Sequence, residues 1–304
     1  MEISNSNSRS APAPKSLQQW IRQHLLFSYF FLAYAFSWIV FVPYVLAEKG
    51  ILQGNYTPFY VLHVFGPAIA AIVMTSLTAG KAGLQTFRQS IRDRRAPWQW
   101  YLFVLLGIPA LVMLGIIVQP GALEGFKGFT ISLLAGYPFY LFATFLGVGL
   151  GEEPGWRGFA LPRMQKQYGP LSGTLLLGVL WSCWHLPDFL TASKGGGDGT
   201  GLVTFLTNFP IFTLAVISLA VIMTWIYNHT NGSLFIAILA HASVDAPEVA
   251  GWTALFPAVS MIGLHWAIFM AFGIPAILIL ILTRGQLGYK SGQVRSDSFM
   301  PLEA

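Results

Sequence analysis

Apolar residues come in blocks of about twenty along this chain, separated by short stretches where Gly, Pro and charged residues collect. The blocks fall at roughly 25–47, 58–79, 98–119, 130–152, 171–191, 202–227, 233–251 and 257–283. At a rise of about 1.5 Å per residue, each spans most or all of the roughly 30 Å hydrocarbon core of a bilayer. Backbone polar groups in lipid must be satisfied within their own segment, so the pattern predicts about eight transmembrane helices and an all-α polytopic membrane fold. The last two blocks are separated only by the short segment 251–254, which a re-entrant bend would also fit. The chain then divides into a polar N-terminal tail at 1–24, a transmembrane domain at 25–283 with its core at about 130–251, and a C-terminal tail at 284–304. The first apolar block is longer than the roughly 7–15 residues of a signal-peptide core, so it is expected to stay as an anchor.

Composition sharpens this picture. Of the 304 residues 55% are hydrophobic and 10% charged, whereas about a quarter of a soluble protein is charged. Mean hydropathy is +0.61. The net charge of +5 does not mark a nucleic-acid binder, because the basic residues lie between apolar blocks and form no separate basic domain. They sort by side instead. Alternating the loops across a bilayer puts fourteen Lys and Arg on one side, Arg157 among them, and leaves Lys49, Lys127 and Lys194 on the other. The positive-inside rule then predicts cytoplasmic N- and C-termini.

Short loops leave no room for an inserted soluble domain. The basic stretch 81–95 spaces Leu84, Phe87 and Ile91 helically among Arg88, Arg92, Arg94 and Arg95. That suits a helix on the membrane surface as well as a plain charged loop. The glycine-rich loop 191–201 is expected to be flexible, Asn55-Tyr56-Thr57 fits a glycosylation acceptor in a secretory-pathway host, and no inverted repeat of the transporter kind is present. The lone Cys183 removes any intramolecular disulfide and reads as a packing residue in an apolar helix.

Ionisable residues inside such helices are costly and point to function. Three groups qualify: Glu152, Glu153 and Arg157 in GEEPGWRG; His185, with Asp188 nearby; and His241 with Asp245. Glu153 and Arg157 stand four apart and are expected to pair on one helix face, which turns Glu152 about 100° away toward a cavity. Pro154 and Gly155 suggest a break or kink at this point. His185 is placed well inside the fifth helix, and His241 and Asp245 share a face of the seventh. Counting spans alone leaves Glu152 nearer the cytoplasmic surface than His185, so the fourth helix must start later or continue past Pro154 for the two to meet.

Hydrolysis uses such a set economically. A buried glutamate can act as general base toward water, and imidazoles can hold an oxyanion or ligate a metal. Neither G-x-S-x-G, H-E-x-x-H nor a phosphate-binding loop is present, and Cys183 lies on the same helix as His185, a poor geometry for a nucleophile–base pair.

The ordered motifs Glu152-Glu153-x-x-x-Arg157, Trp181-x-x-x-His185 and His241-x-x-x-Asp245 resemble those of the CPBP family of intramembrane proteases, which includes the type II CAAX prenyl endopeptidases and the Abi proteins. The resemblance covers about residues 137–250. It implies that Glu152 activates the attacking water, His185 positions it, and His241 with residue 245 stabilises the oxyanion, while Glu153 and Arg157 support them. Here Trp181 stands where phenylalanine is common, and Asp245 where the eukaryotic prenyl-protein enzymes have asparagine; a carboxylate is a poor oxyanion donor but a good metal ligand. The expected activity is endoproteolysis of a membrane-embedded or lipid-modified peptide by glutamate-activated water. No cofactor is required on this reading, although Glu152, His185, His241 and Asp245 also form a set that zinc accepts. The alternatives are a catalytically silent immunity or peptide-binding protein of the same family and a proton-coupled transporter.

Overall fold

A computed structural model describes residues 17–191 and 201–291. The described residues contain helices and no strands. In chain order the helices are α1 (Leu17–Gln23), α2 (Leu25–Glu48), α3 (Thr57–His63), α4 (Gly66–Arg92), α5 (Trp98–Ile117) and α6 (Ile131–Tyr168), followed by α7 (Pro170–Trp184), α8 (Leu202–His229), α9 (Leu234–Val249) and α10 (Met261–Leu282). Six of them, α2, α4, α5, α6, α8 and α10, are long and apolar enough to cross a membrane. Their outer faces stay apolar: Ile274, Ile277, Leu278 and Ile281 of α10 are exposed from the protein. This is an integral, multi-pass membrane protein.

The other two expected spans are the short helices α7 and α9, of 15 and 16 residues. His241 lies within α9, and His185 follows the last residue of α7. α9 lies inside the bundle against α4, α5, α6 and α8, and Ala237, Ala240, Ala242, Ser243 and Ala246 let its neighbours approach closely. Around it, α8 packs along α10 and α7, and α2 along α4.

Three boundaries differ from the hydropathy pattern. The fourth helix does not stop near 152 but continues to Tyr168. Pro154 and Pro162 each remove a ladder hydrogen bond, and two wide π turns, at Phe145–Gly149 and Trp156–Ala160, let the rod continue without a break. It ends at Gly169 (φ 80°), a left-handed position that glycine takes cheaply, and Pro170 opens α7. The second apolar block is divided at 64–65, where α3 stops and Gly66-Pro67 begins α4. Pro67 in a continuous helix would crowd the carbonyl of His63; that carbonyl instead accepts the Ser37 hydroxyl at 2.7 Å. The fifth helix closes at Trp184, because Pro187 cannot continue it, and a 3₁₀ turn follows at Leu186–Leu190.

The basic stretch 81–95 begins after a kink at Gly80 (φ 61°) and is helical to Arg92, with Phe87 buried and Arg88 exposed. Segment 252–255 is a short 3₁₀ turn. The glycine-rich loop, apart from its first and last residues, and most of both tails lie outside the described residues.

Candidate active site

Extension of α6 through Pro154 brings the glutamate pair to the middle of a helical rod, between its two wide turns. The two carboxylates then part company. Glu153 Oε1 accepts Arg157 Nη1 at 2.8 Å, the expected i, i+4 pair, with both side chains fully buried. Arg157 is therefore a buried helix residue and not the loop charge that alternation of the loops predicts. Its guanidinium lies over the Trp181 ring, 4.3 Å from the centroid, where cation–π attraction offsets part of the cost of desolvation. Glu152 points elsewhere. Its Oε2 accepts two indole N–H groups, Trp156 Nε1 at 3.0 Å and Trp181 Nε1 at 2.7 Å.

His241 meets the same network from α9. Its Nδ1 lies 2.8 Å from Glu153 Oε1, the oxygen that also receives Arg157. A carboxylate only accepts, so Nδ1 carries the proton. Its Nε2 stands 3.6 Å from Asp245 Oδ2, on the shared helix face that the spacing predicts. Glu153 thus anchors two partners, not Arg157 alone; the second, 88 residues away, has no signature in local spacing.

His185 is half-buried and caps the end of α7, not its interior. Its Nδ1 is 2.9 Å from the Trp181 carbonyl. That carbonyl can only accept, so Nδ1 carries the proton and, in the neutral ring, Nε2 is the basic nitrogen. The imidazole packs edge-on against Trp184 and Phe212, with centroids at 4.7 and 5.1 Å.

Glu152, His185, His241 and Asp245 line one cavity of about 140 Å³, large enough to hold water. Val148, Val216, Leu219 and Val244 make its apolar wall. His63, Asp188, Glu248 and His265 also line it. Of these only Asp188 was suggested by the sequence, through its closeness to His185; His63 and His265 are single histidines in apolar segments with no motif around them.

The four candidate ligands do not close around one point. Among the described residues, no group of three or more His, Cys, Asp or Glu side chains is placed to hold a metal ion. His241 has a carboxylate at each nitrogen, and Glu152 already accepts two N–H donors on one oxygen. This donor set does not fit zinc in the present arrangement.

Fold and site together define a polytopic helical membrane protein with a buried glutamate–histidine centre. The profile of the family described as "Type II CAAX prenyl endopeptidase Rce1-like" matches residues 134–247, which hold every candidate residue from Glu152 to Asp245. A curated relative, "CAAX prenyl protease 2" of Methanococcus maripaludis, is 29% identical over 219 residues, covering 67% of this chain and 79% of that protein. Over this segment the chain is therefore similar to the Rce1-like type II CAAX prenyl endopeptidases.

Proposed function

We propose that the protein is an intramembrane endopeptidase in which Glu152 is the general base. The observation that carries this reading is the placement of Glu152: a buried carboxylate on the wall of the cavity that His185 and His241 also line. Two indole donors on Oε2 hold the carboxylate and leave Oε1 for a water. Glu152 takes a proton from that water as its oxygen bonds to the scissile carbonyl carbon, and the carbonyl oxygen becomes an oxyanion. Nε2 of His185 accepts a hydrogen bond from the water and orients it. His241, held through Nδ1 by Glu153, meets the oxyanion through a protonated Nε2. On collapse the C–N bond breaks, and the proton held by Glu152 passes to the leaving nitrogen.

The substrate class follows from the membrane setting and from the relative's name: a membrane-associated peptide, with a prenylated CAAX peptide as the first probe. With the buried Arg157 and Arg163 of α6 withdrawn from the loop charges, twelve basic residues against three still favour cytoplasmic termini.

Glu152→Gln and His185→Ala should each lower cleavage of a prenylated CAAX peptide in detergent by about 10²–10⁴-fold while the folded protein elutes as wild type does. Cleavage at the wild-type rate in both variants would sink the proposal. Full biological activity of Glu152→Gln would favour the peptide-binding alternative.

A further inference from the structure

The candidate bases reach the cavity from two separate helices, and one turn outside the family-matched segment touches both. This turn, residues 63–67, joins α3 to α4. On one side it lies against α6 at Gly151 and Gly155, which flank the glutamate pair four residues apart. A Cβ at 151 would stand 2.8 Å from the Val64 carbonyl oxygen, and one at 155 would stand 2.6 Å from the Pro67 carbonyl carbon. Real Cβ atoms do not approach backbone that closely, so the two glycines are the condition for this docking.

On the other side the same turn grips the end of α7. The His63 ring stacks on Trp184, with centroids 5.4 Å apart and planes 17° from parallel. Its Nε2 stands 3.7 Å from Asp188 Oδ1, and its Nδ1 is bonded to the Tyr60 carbonyl. Trp184 and Asp188 bracket His185 in sequence, and the Asp188 amide donates to the His185 carbonyl at 2.9 Å. The neighbouring helix α2 completes the grip: Trp38 Nε1 donates to the Trp184 carbonyl at 2.9 Å, and the Tyr34 hydroxyl donates to the Leu180 carbonyl. The Trp184 carbonyl belongs to the last turn of α7, which has no further helix to satisfy it.

We infer that the 63–67 turn is a spacer that sets the position of His185 relative to Glu152, and that His63 is its positioning residue, acting through Asp188 and Trp184. This rests on the proteolytic reading only for its kinetic consequence. The spacing of the two groups is a property of the fold, whereas a base and its water partner tolerate displacement poorly: a shift near 1 Å can cost about 10²-fold in rate.

His63→Leu separates the roles. It keeps an apolar group on Trp184 and removes the contact to Asp188. With a prenylated CAAX peptide, kcat should fall by about 10–100-fold with KM within about twofold and an unchanged thermal midpoint. His63→Gln, whose amide can reach Asp188, should recover most of the loss. Should His63→Leu not fold, Asp188→Asn gives the same reading from the other partner. A second readout needs no catalysis. Cys183, the single cysteine, lies two residues from His185, and its reaction with a maleimide should quicken when the end of α7 loosens. Wild-type kcat with an unchanged Cys183 rate would overturn the inference. If the wild-type protein cleaves nothing, the proteolytic reading fails, and the Cys183 rate alone decides the spacer: quickened in His63→Leu, it stands; unchanged, it falls.

Discussion

His241 and His185 face one cavity from opposite kinds of helix position. His241 sits inside α9, and its Nδ1 is held by a carboxylate that is itself held by an arginine, all three buried. His185 stands where α7 ends, with its Nδ1 on a carbonyl of its own helix, and the groups that steady that end come from α2 and α3. One histidine is oriented by buried charge within the family-matched segment. The other is oriented by main-chain capping supplied from outside it. Buried charge gains its strength from a low dielectric and fails when any member is removed. Capping is a sum of ordinary hydrogen bonds and should fail by degrees.

The largest effect is expected from Arg157→Ala. It strands the buried Glu153 carboxylate beside a histidine, and breaking a buried pair this way costs about 3–5 kcal/mol. Thermal unfolding in detergent should show a large drop in midpoint together with loss of proteolysis. Arg157→Lys should recover only part of it, because a point charge reproduces neither the planar fork nor the stack on Trp181. An unchanged midpoint in Arg157→Ala would mean that His241 alone satisfies Glu153, and the contrast between charge and capping would lose one side.

Trp38→Phe tests the capping side. It removes one donor from the Trp184 carbonyl and keeps the aromatic body, so the expected cost is about 1 kcal/mol. kcat should fall only a few-fold, read from initial rates on the same peptide. A loss as deep as that of Glu152→Gln would show that the end of α7 is as brittle as the charge network, and grading by degrees would be wrong.

The two sides were unequally legible in the sequence. Glu153 and Arg157 could be paired from their spacing because helix geometry alone brings i and i+4 together, and His241–Asp245 likewise. His185 at a helix end was legible in principle through Pro187, but a run of apolar residues to 191 outweighed it. Pro154 misled in the other direction, since wide π turns carry α6 past it. Lipid explains the deeper limit. Where the outer face of a helix is as apolar as the inner one, no stripe records which side is buried, so the docking of the 63–67 turn on Gly151 and Gly155 leaves no periodic trace. The meeting of Glu153 with His241 depends on helix packing across the bundle, which local spacing does not encode.

The smallest change in stability is expected at Asp245, and it bears on how His241 works. The Asp245 side chain is one-third exposed and stands 3.6 Å from Nε2, a pair of the kind worth less than about 1 kcal/mol. Asp245→Asn should leave the thermal midpoint within about a degree. Its effect on rate depends on what the oxyanion needs. Glu153 already orients His241 through Nδ1, so the aspartate is not required for orientation, and as a carboxylate it adds negative charge near a developing negative charge. An amide at 245 supplies an N–H donor instead. kcat should therefore hold or rise, measured over a range of prenylated CAAX peptide concentrations. A fall comparable to that of Glu152→Gln would mean that the carboxylate at 245 is needed, either to steady the proton on His241 or as a ligand, and the division of labour between Glu153 and Asp245 would have to be reversed.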